Sequence, residues 1–235
     1  MSIYITGDFH GRPGDYLNTK IFPEQKELTK EDKVIQLGDF GLFFKDPVQK
    51  HDLYWLDWIA SKPFEFLFFR GNHDNKKLIE RHCMWIEKYG NLVGEIKTAQ
   101  GSIFYLPAGV YTINDKRVLI IPGATSVDRH LRTQDIDWWD DEVLSKQEEN
   151  KILDELDAVD WKVDYVLSHT CDTKSALEIL NGRYLSSCPV TKFIDFVFEK
   201  LDYKYHYFGH WHNNMCFDKS RCHYIEAPLR IDDEI

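Results

Sequence analysis

The chain has 235 residues, of which 43% are hydrophobic, and a formal net charge of −10. This composition excludes collagen-like, low-complexity and membrane-spanning proteins, and its acidity disfavours a protein that coats nucleic acid or an anionic membrane. Because no stretch has the composition of a linker, we expect a single domain over residues 1–235, with no membrane association and no stable nucleic-acid partner.

Short apolar runs recur along the chain, and each ends in Gly, Asp, Asn, Ser or His. Runs of this length that are apolar throughout are typical of strands buried on both faces of a sheet. The five runs lie at residues 3–5, 34–37, 64–69, 165–167 and 205–208.

The remaining elements alternate with these strands. Further strands are predicted at 103–106, 110–113 and 117–121, with a hairpin turn at 114–116 and a candidate strand at 223–226. Amphipathic spacing and N-cap residues predict helices at 48–60, 76–89, 145–156, 173–180 and 191–201. Strands and helices mixed in this way predict an α/β chain with sheets covered by helices.

The cysteines and the first residues indicate the compartment. The five cysteines have irregular spacings and form no CxxC pair, which argues against a disulfide scaffold and a structural zinc site. Residues 1–5 lack the basic segment of a signal peptide. We therefore expect a cytoplasmic protein with reduced thiols, and the sequence leaves the oligomeric state open.

Metal-binding types of side chain follow all five buried strands. Carboxylates, an amide and imidazoles together suit divalent metals such as manganese, iron or zinc, and ligands of α/β sheets lie at the carboxyl ends of strands. Each block has an ordinary explanation as a turn or a core histidine, but chance does not account for all five in this order. The blocks are Asp8-Phe9-His10, Gly38-Asp39, Gly71-Asn72-His73-Asp74, His169 and Gly209-His210-Trp211-His212.

This order of blocks resembles the calcineurin-like metallophosphoesterase superfamily, in a branch of bacterial and phage type. The resemblance covers Asp8 to His212 and implies a four-layer α/β/β/α sandwich with a dinuclear metal centre at the carboxyl ends of the strands. It implies that one metal is held by Asp8, His10 and His212, that the other is held by Asn72, His169 and His210, and that Asp39 bridges the two.

The resemblance also implies a phosphoric ester hydrolase. Two divalent ions, with Mn²⁺ favoured and Fe, Zn, Ni or Mg as alternatives, would supply a bridging hydroxide that attacks a phosphomonoester or phosphodiester. His73 would be the catalytic general acid at the leaving-group oxygen, and Asn72 would also offer its amide nitrogen to a phosphate oxygen.

The second block departs from the pattern G-D-x-x-D-R-G of the phosphoprotein phosphatases. Leu42 stands where that pattern has the aspartate that orients the catalytic histidine, and the arginine is missing. A protein phosphatase is therefore disfavoured, small-molecule substrates stay open, and the partner of His73 is undetermined, since the adjacent Asp74 could point away.

Other arginines are candidates for binding the phosphate, because a planar guanidinium suits bidentate contacts. Arg12 follows the first block, and Arg129 and Arg132 lie in a long unpatterned segment at 123–139, a kind of segment that is often functional. For Arg70 we expect a surface charge or a salt bridge.

Two other functions remain open at this point. A metal-dependent nuclease or nucleotide phosphodiesterase would use the same metal chemistry, although the negative charge of the chain disfavours a nuclease. A non-catalytic scaffold of the same fold is the second alternative, because fold alone does not determine function. The complete ligand set favours the enzyme.

Overall fold

The computed structural model of the protein describes residues 1–183, 188–222 and 227–232, and it contains both strands and helices. In chain order, the strands are β1 (Ile3–Thr6), β2 (Lys33–Gln36), β3 (Glu65–Phe68), β4 (Met84–Lys88), β5 (Asn91–Thr98), β6 (Gly101–Tyr105), β7 (Gly109–Ile113), β8 (Lys116–Ile121), β9 (Tyr165–Ser168), β10 (Tyr205–Phe208), β11 (Met215–Phe217), β12 (Ser220–Cys222) and β13 (Leu229–Arg230).

The helices cover the outside of the strands. They are α1 (Lys50–Ala60), α2 (Lys76–His82), α3 (Lys146–Ala158), α4 (Thr173–Ile179) and α5 (Pro189–Phe198), with short 3-10 turns at Pro13–Asp15, Pro23–Glu27 and Arg129–Leu131. Within the described ranges, no helix is both long enough and apolar enough to cross a membrane.

The strands form two mixed sheets. The first has the order β13-β1-β2-β3-β6-β5-β4 and the second has the order β11-β12-β10-β9-β8-β7. β1, β2, β3 and β6 run parallel in the first sheet, and β8, β9, β10 and β12 run parallel in the second. Neighbouring parallel strands bring their carboxyl ends to one edge of each sheet.

Alternating side chains of each strand separate the layers. Ile3 and Ile5 of β1 face an apolar core between the sheets, where they join Ile120 of β8 and Leu167 of β9, whereas Tyr4 faces the opposite core. α1 packs on the outer face of the first sheet, and α3 and α5 pack on the outer face of the second. The predicted α/β/β/α sandwich is therefore confirmed.

The capping residues Ser145 and Glu148 correctly predict the start of α3. The Ser145 hydroxyl accepts a hydrogen bond from the Glu148 backbone N–H, and the Glu148 carboxylate accepts one from the Ser145 N–H. This reciprocal capping box satisfies two backbone donors at the helix start. The helix begins where the sequence predicts and ends two residues later, at Ala158.

The predicted helix at 76–89 is wrong in its second half. The helix ends at His82, and Met84–Lys88 forms an edge strand that pairs with β5, a strand that the sequence analysis missed. Tyr89 and Gly90 both have positive φ and form the tight turn between these strands. Pairing with β5 therefore overrides the helical spacing of the segment. The candidate strand at 223–226 lies outside the described residues, and the single domain stays a prediction.

Candidate active site

The five sequence blocks meet where the two sheets come together. The first three blocks follow β1, β2 and β3 of the first sheet, and the last two follow β9 and β10 of the second. The carboxyl ends of parallel strands therefore bring together side chains that are up to about 200 positions apart in the chain.

The first cluster contains Asp8, His10 and His212. Their ligand atoms lie close together, with His10 Nε2 3.1 Å from His212 Nε2 and Asp8 Oδ2 3.4 Å from His212 Nε2. An ion with metal–ligand bonds of about 2.0–2.2 Å needs ligand atoms separated by ~3.0–3.4 Å. Two of the three separations lie in this range, the third, from His10 Nε2 to Asp8 Oδ2, is 3.9 Å, and the donor types are those of a divalent metal site.

The second cluster is fully buried and contains Asp39, Asn72 and His169. His169 Nε2 lies 2.9 Å from Asn72 Oδ1 and 3.3 Å from Asp39 Oδ1. The other ring nitrogen, Nδ1, lies 2.8 Å from the Leu37 carbonyl oxygen, to which it can donate. A contact of this kind fixes the orientation of the ring and leaves Nε2 as the ligand atom.

Asp39 belongs to the second cluster and also faces the first. One carboxylate oxygen, Oδ1, faces His169, and the other, Oδ2, is 3.9 Å from His10 Nε2. Burial opposes the charge of this carboxylate, but His169, His73 and His10 outweigh it and hold the pKa of Asp39 well below its usual range. Burial likewise opposes an imidazolium at His169, yet the Asp39 carboxylate raises the pKa of His169 to about 9.

His210 lies beside the second cluster. The centroid of its ring is 5.1 Å from that of the His169 ring. Its backbone N–H donates to both carboxylate oxygens of Asp8, at 3.2 and 3.1 Å. Burial and the positive field of His169 lower the pKa of His210 to about 3. His210 therefore presents the neutral imidazole that metal binding requires.

The backbone is unusual at the ligands themselves. His10, Asp39, His210 and His212 have φ angles of 45°, 54°, 66° and 47°, a left-handed conformation that is rare outside glycine. Such conformations concentrate at functional sites, where the surrounding structure enforces them. At Gly71, a Cβ atom would overlap the Asp39 side chain and His169 Nε2, so only glycine lets β3 approach the cluster.

His73 lies at the edge of the clusters and lines the cleft above them. Its backbone N–H donates to Asp39 Oδ1 at 2.8 Å, and its Nε2 lies 3.4 Å from Arg132 Nη2. Burial lowers the pKa of His73; Asp39 opposes that shift and Arg132 adds to it. The imidazole is therefore held beside the ligands by both its backbone and its ring.

Asp74 does not orient His73. Its carboxylate accepts backbone hydrogen bonds from Phe40 at 3.0 Å, Gly41 at 2.8 Å and Gly71 at 2.8 Å. Asp74 therefore ties the second block to the third and, within the described residues, makes no hydrogen bond to the His73 ring.

The three arginine candidates differ in position. Arg132 and Arg12 line the cleft. Arg12 is exposed, and its Nε lies 3.6 Å from Asp15 Oδ2. Arg129 instead lies over the ring of Trp138 at 3.8 Å and is not among the described residues that line the cleft. The structure thus brings two of these arginines to the cleft but not Arg129.

A buried chain of hydrogen bonds behind Asn72 escaped the sequence analysis. Asn72 Nδ2 donates to Ser126 Oγ at 3.0 Å, and Ser126 Oγ donates to Glu142 at 2.6 Å. The chain holds the Asn72 oxygen toward His169 and uses one of the two amide hydrogens. Ser126 belongs to the unpatterned segment at 123–139, which was the signal available in the sequence.

The cleft above the ligand clusters has a volume of about 1040 Å³. Besides the predicted site residues it is lined by residues without a motif, among them Phe44, Lys45, Gln49, Val127 and Trp211. The volume is much larger than that of a phosphate group.

Arg70 is a buried member of an ion pair with Glu148, as the salt-bridge expectation stated. Its Nη2 lies 3.1 Å from Glu148 Oε1, and its guanidinium donates to the carbonyls of Glu142 and Val143 at 3.0 and 3.2 Å. Burial alone would raise the pKa of Glu148, but Arg70 and Lys76 lower it from 4.5 to about 2.

This pair is expected to make stability depend on pH. A depressed folded-state pKa stabilises the fold above the unfolded value, so about 3 kcal/mol is present above pH 4.5 and is lost as the pH falls to about 2. Thermal unfolding of wild type and Glu148→Gln from pH 7 to pH 2 tests this. The variant should be less stable at pH 7 and should converge with wild type at low pH. Parallel curves would contradict the prediction.

Comparisons with known proteins extend over most of the chain. A family model described as calcineurin-like phosphoesterase matches residues 1–214. The solved structure of a phosphopantetheinyl hydrolase from Mycobacterium tuberculosis is similar at 15% identity and a TM-score of 0.42, covering 95% of this chain and 90% of that one. No curated protein matches the chain.

Proposed function

The chain belongs to the calcineurin-like phosphoesterase family, and from that premise we propose that it is a phosphoric ester hydrolase with a dinuclear metal centre. The observation that carries this proposal is the pair of adjacent ligand clusters with the Asp39 carboxylate between them. The family binds divalent metals, and the candidate ligands include two groups whose ligand atoms lie within 4.8 Å of one another, Asp8 with His10 and His212, and Asp8 with Asp39 and His169.

The proposed ligand sets are those that the resemblance implies. One ion would be held by Asp8, His10 and His212, whose ligand atoms lie within 4.8 Å of one another. The other would be held by Asn72, His169 and His210, with support from the 2.9 Å contact between Asn72 Oδ1 and His169 Nε2 and from the His210 ring beside that of His169. Asp39 would bridge the two ions, since its two oxygens face His169 and His10. Mn²⁺ is the favoured metal, and Fe, Zn, Ni and Mg are alternatives with the same donor preferences.

Two ions bound in this way would supply positive charge to the phosphate oxygens and make hydroxide available near neutral pH. The protein contributes the rest. His73 protonates the leaving-group oxygen as the general acid, and its position is supported by its place on the cleft wall beside Asp39. The free amide hydrogen of Asn72, together with Arg12 and Arg132, contacts the phosphate oxygens.

The substrate is a phosphomonoester or a phosphodiester, and the size of the cleft supports an ester with an extended organic group. A nuclease or nucleotide phosphodiesterase remains the alternative within the same chemistry, and a non-catalytic scaffold is the alternative outside it. Arg129 is retained as a substrate-binding candidate from the sequence only. The cytoplasmic location also stays a prediction.

The role of His73 is tested with esters of different leaving groups. The manganese-reconstituted protein is assayed with p-nitrophenyl phosphate, its bis ester and an alkyl phosphate. His73→Ala should lower kcat by about 10²–10⁴-fold on the alkyl ester, which needs an acid, and less on p-nitrophenyl esters. Metal content should be unchanged.

The control is His130→Ala, which removes an exposed histidine from the segment at 123–139. His130→Ala should retain wild-type rates on all three esters. Equal losses for His73→Ala on good and poor leaving groups would contradict the general-acid role. A wild-type protein that binds two metals and hydrolyses none of many esters would favour the scaffold.

A further inference from the structure

The catalytic histidine candidate lacks the aspartate partner that the phosphoprotein phosphatase pattern supplies. Leu42 occupies that position and is fully buried, and Asp74 is engaged by three backbone N–H groups. Within the described part of the chain, the buried Nδ1 of His73 has no hydrogen-bond partner. The His73 ring contacts two neighbours: its Nε2 lies 3.4 Å from Arg132 Nη2, which can only donate, and its centroid lies 5.8 Å from that of the His10 ring.

Arg132 is itself held by a neighbour in the segment at 123–139. Asp128 accepts hydrogen bonds from Arg132 Nε and Nη2, both at 2.7 Å, and Arg132 Nη1 donates to the Asp137 carbonyl at 3.1 Å. A bidentate contact between a guanidinium and a carboxylate fixes the plane of the guanidinium as well as its position. The Arg132 side chain is only 22% exposed.

The ion pair with Asp128 does not use every N–H group of the Arg132 guanidinium. Nη2 carries two hydrogens, and the Asp128 carboxylate uses one of them. The second faces His73 Nε2, which lies 3.4 Å from Nη2 at the wall of the cleft. Two nitrogens at this separation can both reach one oxygen atom at hydrogen-bond distance.

We infer that Asp128 is a positioning residue, which holds the Arg132 guanidinium beside His73 so that the two side chains together bind the oxygens of the phosphate ester. The inference rests on the proposed function and extends it. Asp128 acts through Arg132 and does not touch the substrate. The segment at 123–139 thus provides an acid–arginine pair for a site whose second block has neither residue.

The segment has supports that do not depend on Asp128. Trp138 and Trp139 are buried, Trp139 packs edge-on against Phe44 at 4.9 Å, and Arg129 lies over Trp138. Replacing Asp128 should therefore release the Arg132 side chain without displacing the segment.

The experiment is a double-mutant cycle read by binding of inorganic phosphate. Calorimetric titration of the manganese-loaded protein gives the phosphate Kd for wild type, Asp128→Asn, Arg132→Ala and the double variant. Charge-assisted hydrogen bonds of this kind predict a Kd about tenfold weaker for Asp128→Asn and about 100-fold weaker for Arg132→Ala. The double variant should match Arg132→Ala, because Asp128 has no effect once its arginine is gone.

Asp135→Asn is the matched control. Asp135 lies in the same segment, is exposed, and its carboxylate makes no ion pair or hydrogen bond to any other described residue. This variant should bind phosphate as wild type does. Metal content and thermal unfolding are recorded for every variant, and both should stay at the wild-type level.

The rate of ester hydrolysis is a second measurement, and it distinguishes a positioning role of Asp128 from a purely structural one. Asp128→Asn should lower kcat on the alkyl phosphate more than on p-nitrophenyl phosphate, and Arg132→Lys should recover little, since an ammonium lacks the planar fork. Additive losses in the cycle, or equal phosphate affinity of Asp128→Asn and Asp135→Asn, would overturn the inference. A wild-type protein that binds phosphate but hydrolyses no ester would refute the proposed function while the binding cycle still decides the role of Asp128.

Discussion

Asp39→Asn is expected to lower metal-dependent phosphoesterase activity by about 10³-fold or more, given that one electrostatic donor in an active site is already worth ~10²–10³. The reason is the position of the carboxylate, whose two oxygens face His169 and His10 in different clusters. An amide offers one ligand oxygen and no charge, so it cannot bridge two cations. The variant should retain fewer than two metal ions.

The measurement is p-nitrophenol release together with metal content by elemental analysis, after reconstitution with manganese. Asp115→Asn makes the same chemical change in the turn between β7 and β8 and should leave activity and metal content unchanged. An Asp39→Asn protein that binds two metals and turns over at the wild-type rate would show that the bridging role is wrong.

Arg70→Met is expected to lower the free energy of unfolding by about 3–5 kcal/mol, the usual cost of removing one partner of a buried ion pair. Arg70 is fully buried, so its removal takes one donor from the Glu148 carboxylate, which keeps Lys76, and one from the Glu142 carbonyl, which keeps the Ala124 N–H. Urea unfolding followed by circular dichroism measures the change.

Two further variants make this prediction specific. Arg81→Met removes an exposed arginine that is paired with Asp46, and an exposed ion pair should contribute less than about 1 kcal/mol. Arg70→Met combined with Glu148→Met should recover part of the loss, because the double variant no longer holds a largely buried carboxylate that has lost one of its two basic partners. Equal destabilisation by Arg70→Met and Arg81→Met would contradict the buried ion pair.

The position of Arg70 connects this stability to the site. Arg70 directly precedes Gly71, and its carbonyl accepts the N–H of Gly123, where the segment at 123–139 begins. Its guanidinium contacts residues 142 and 143, just beyond the other end of that segment. Arg70 therefore fixes both ends of the segment that carries Arg132 to His73.

The sequence signal for the candidate ligands is local. Each ligand follows a short buried strand, and glycines such as Gly71 are required where a Cβ would enter the cluster. The layered fold followed from the same strands together with the resemblance of the blocks.

Other parts of the fold and of the site depend on tertiary contacts that cannot be predicted from the sequence. Met84–Lys88 has helical spacing and becomes a strand because β5 is available to pair with it. The function of Asp128 depends on the path of an irregular segment, and no spacing rule relates it to His73. Ser126 and Glu142 likewise meet Asn72 only through the tertiary fold.

The central claim is most directly tested by titrating the metal-free protein with Mn²⁺ while following hydrolysis of p-nitrophenyl phosphate and its bis ester. The account predicts that activity is absent without metal, rises as Mn²⁺ is added and saturates at two equivalents per chain. Activity that does not depend on added metal, or two bound equivalents with no hydrolysis of any phosphate ester tested, would contradict it.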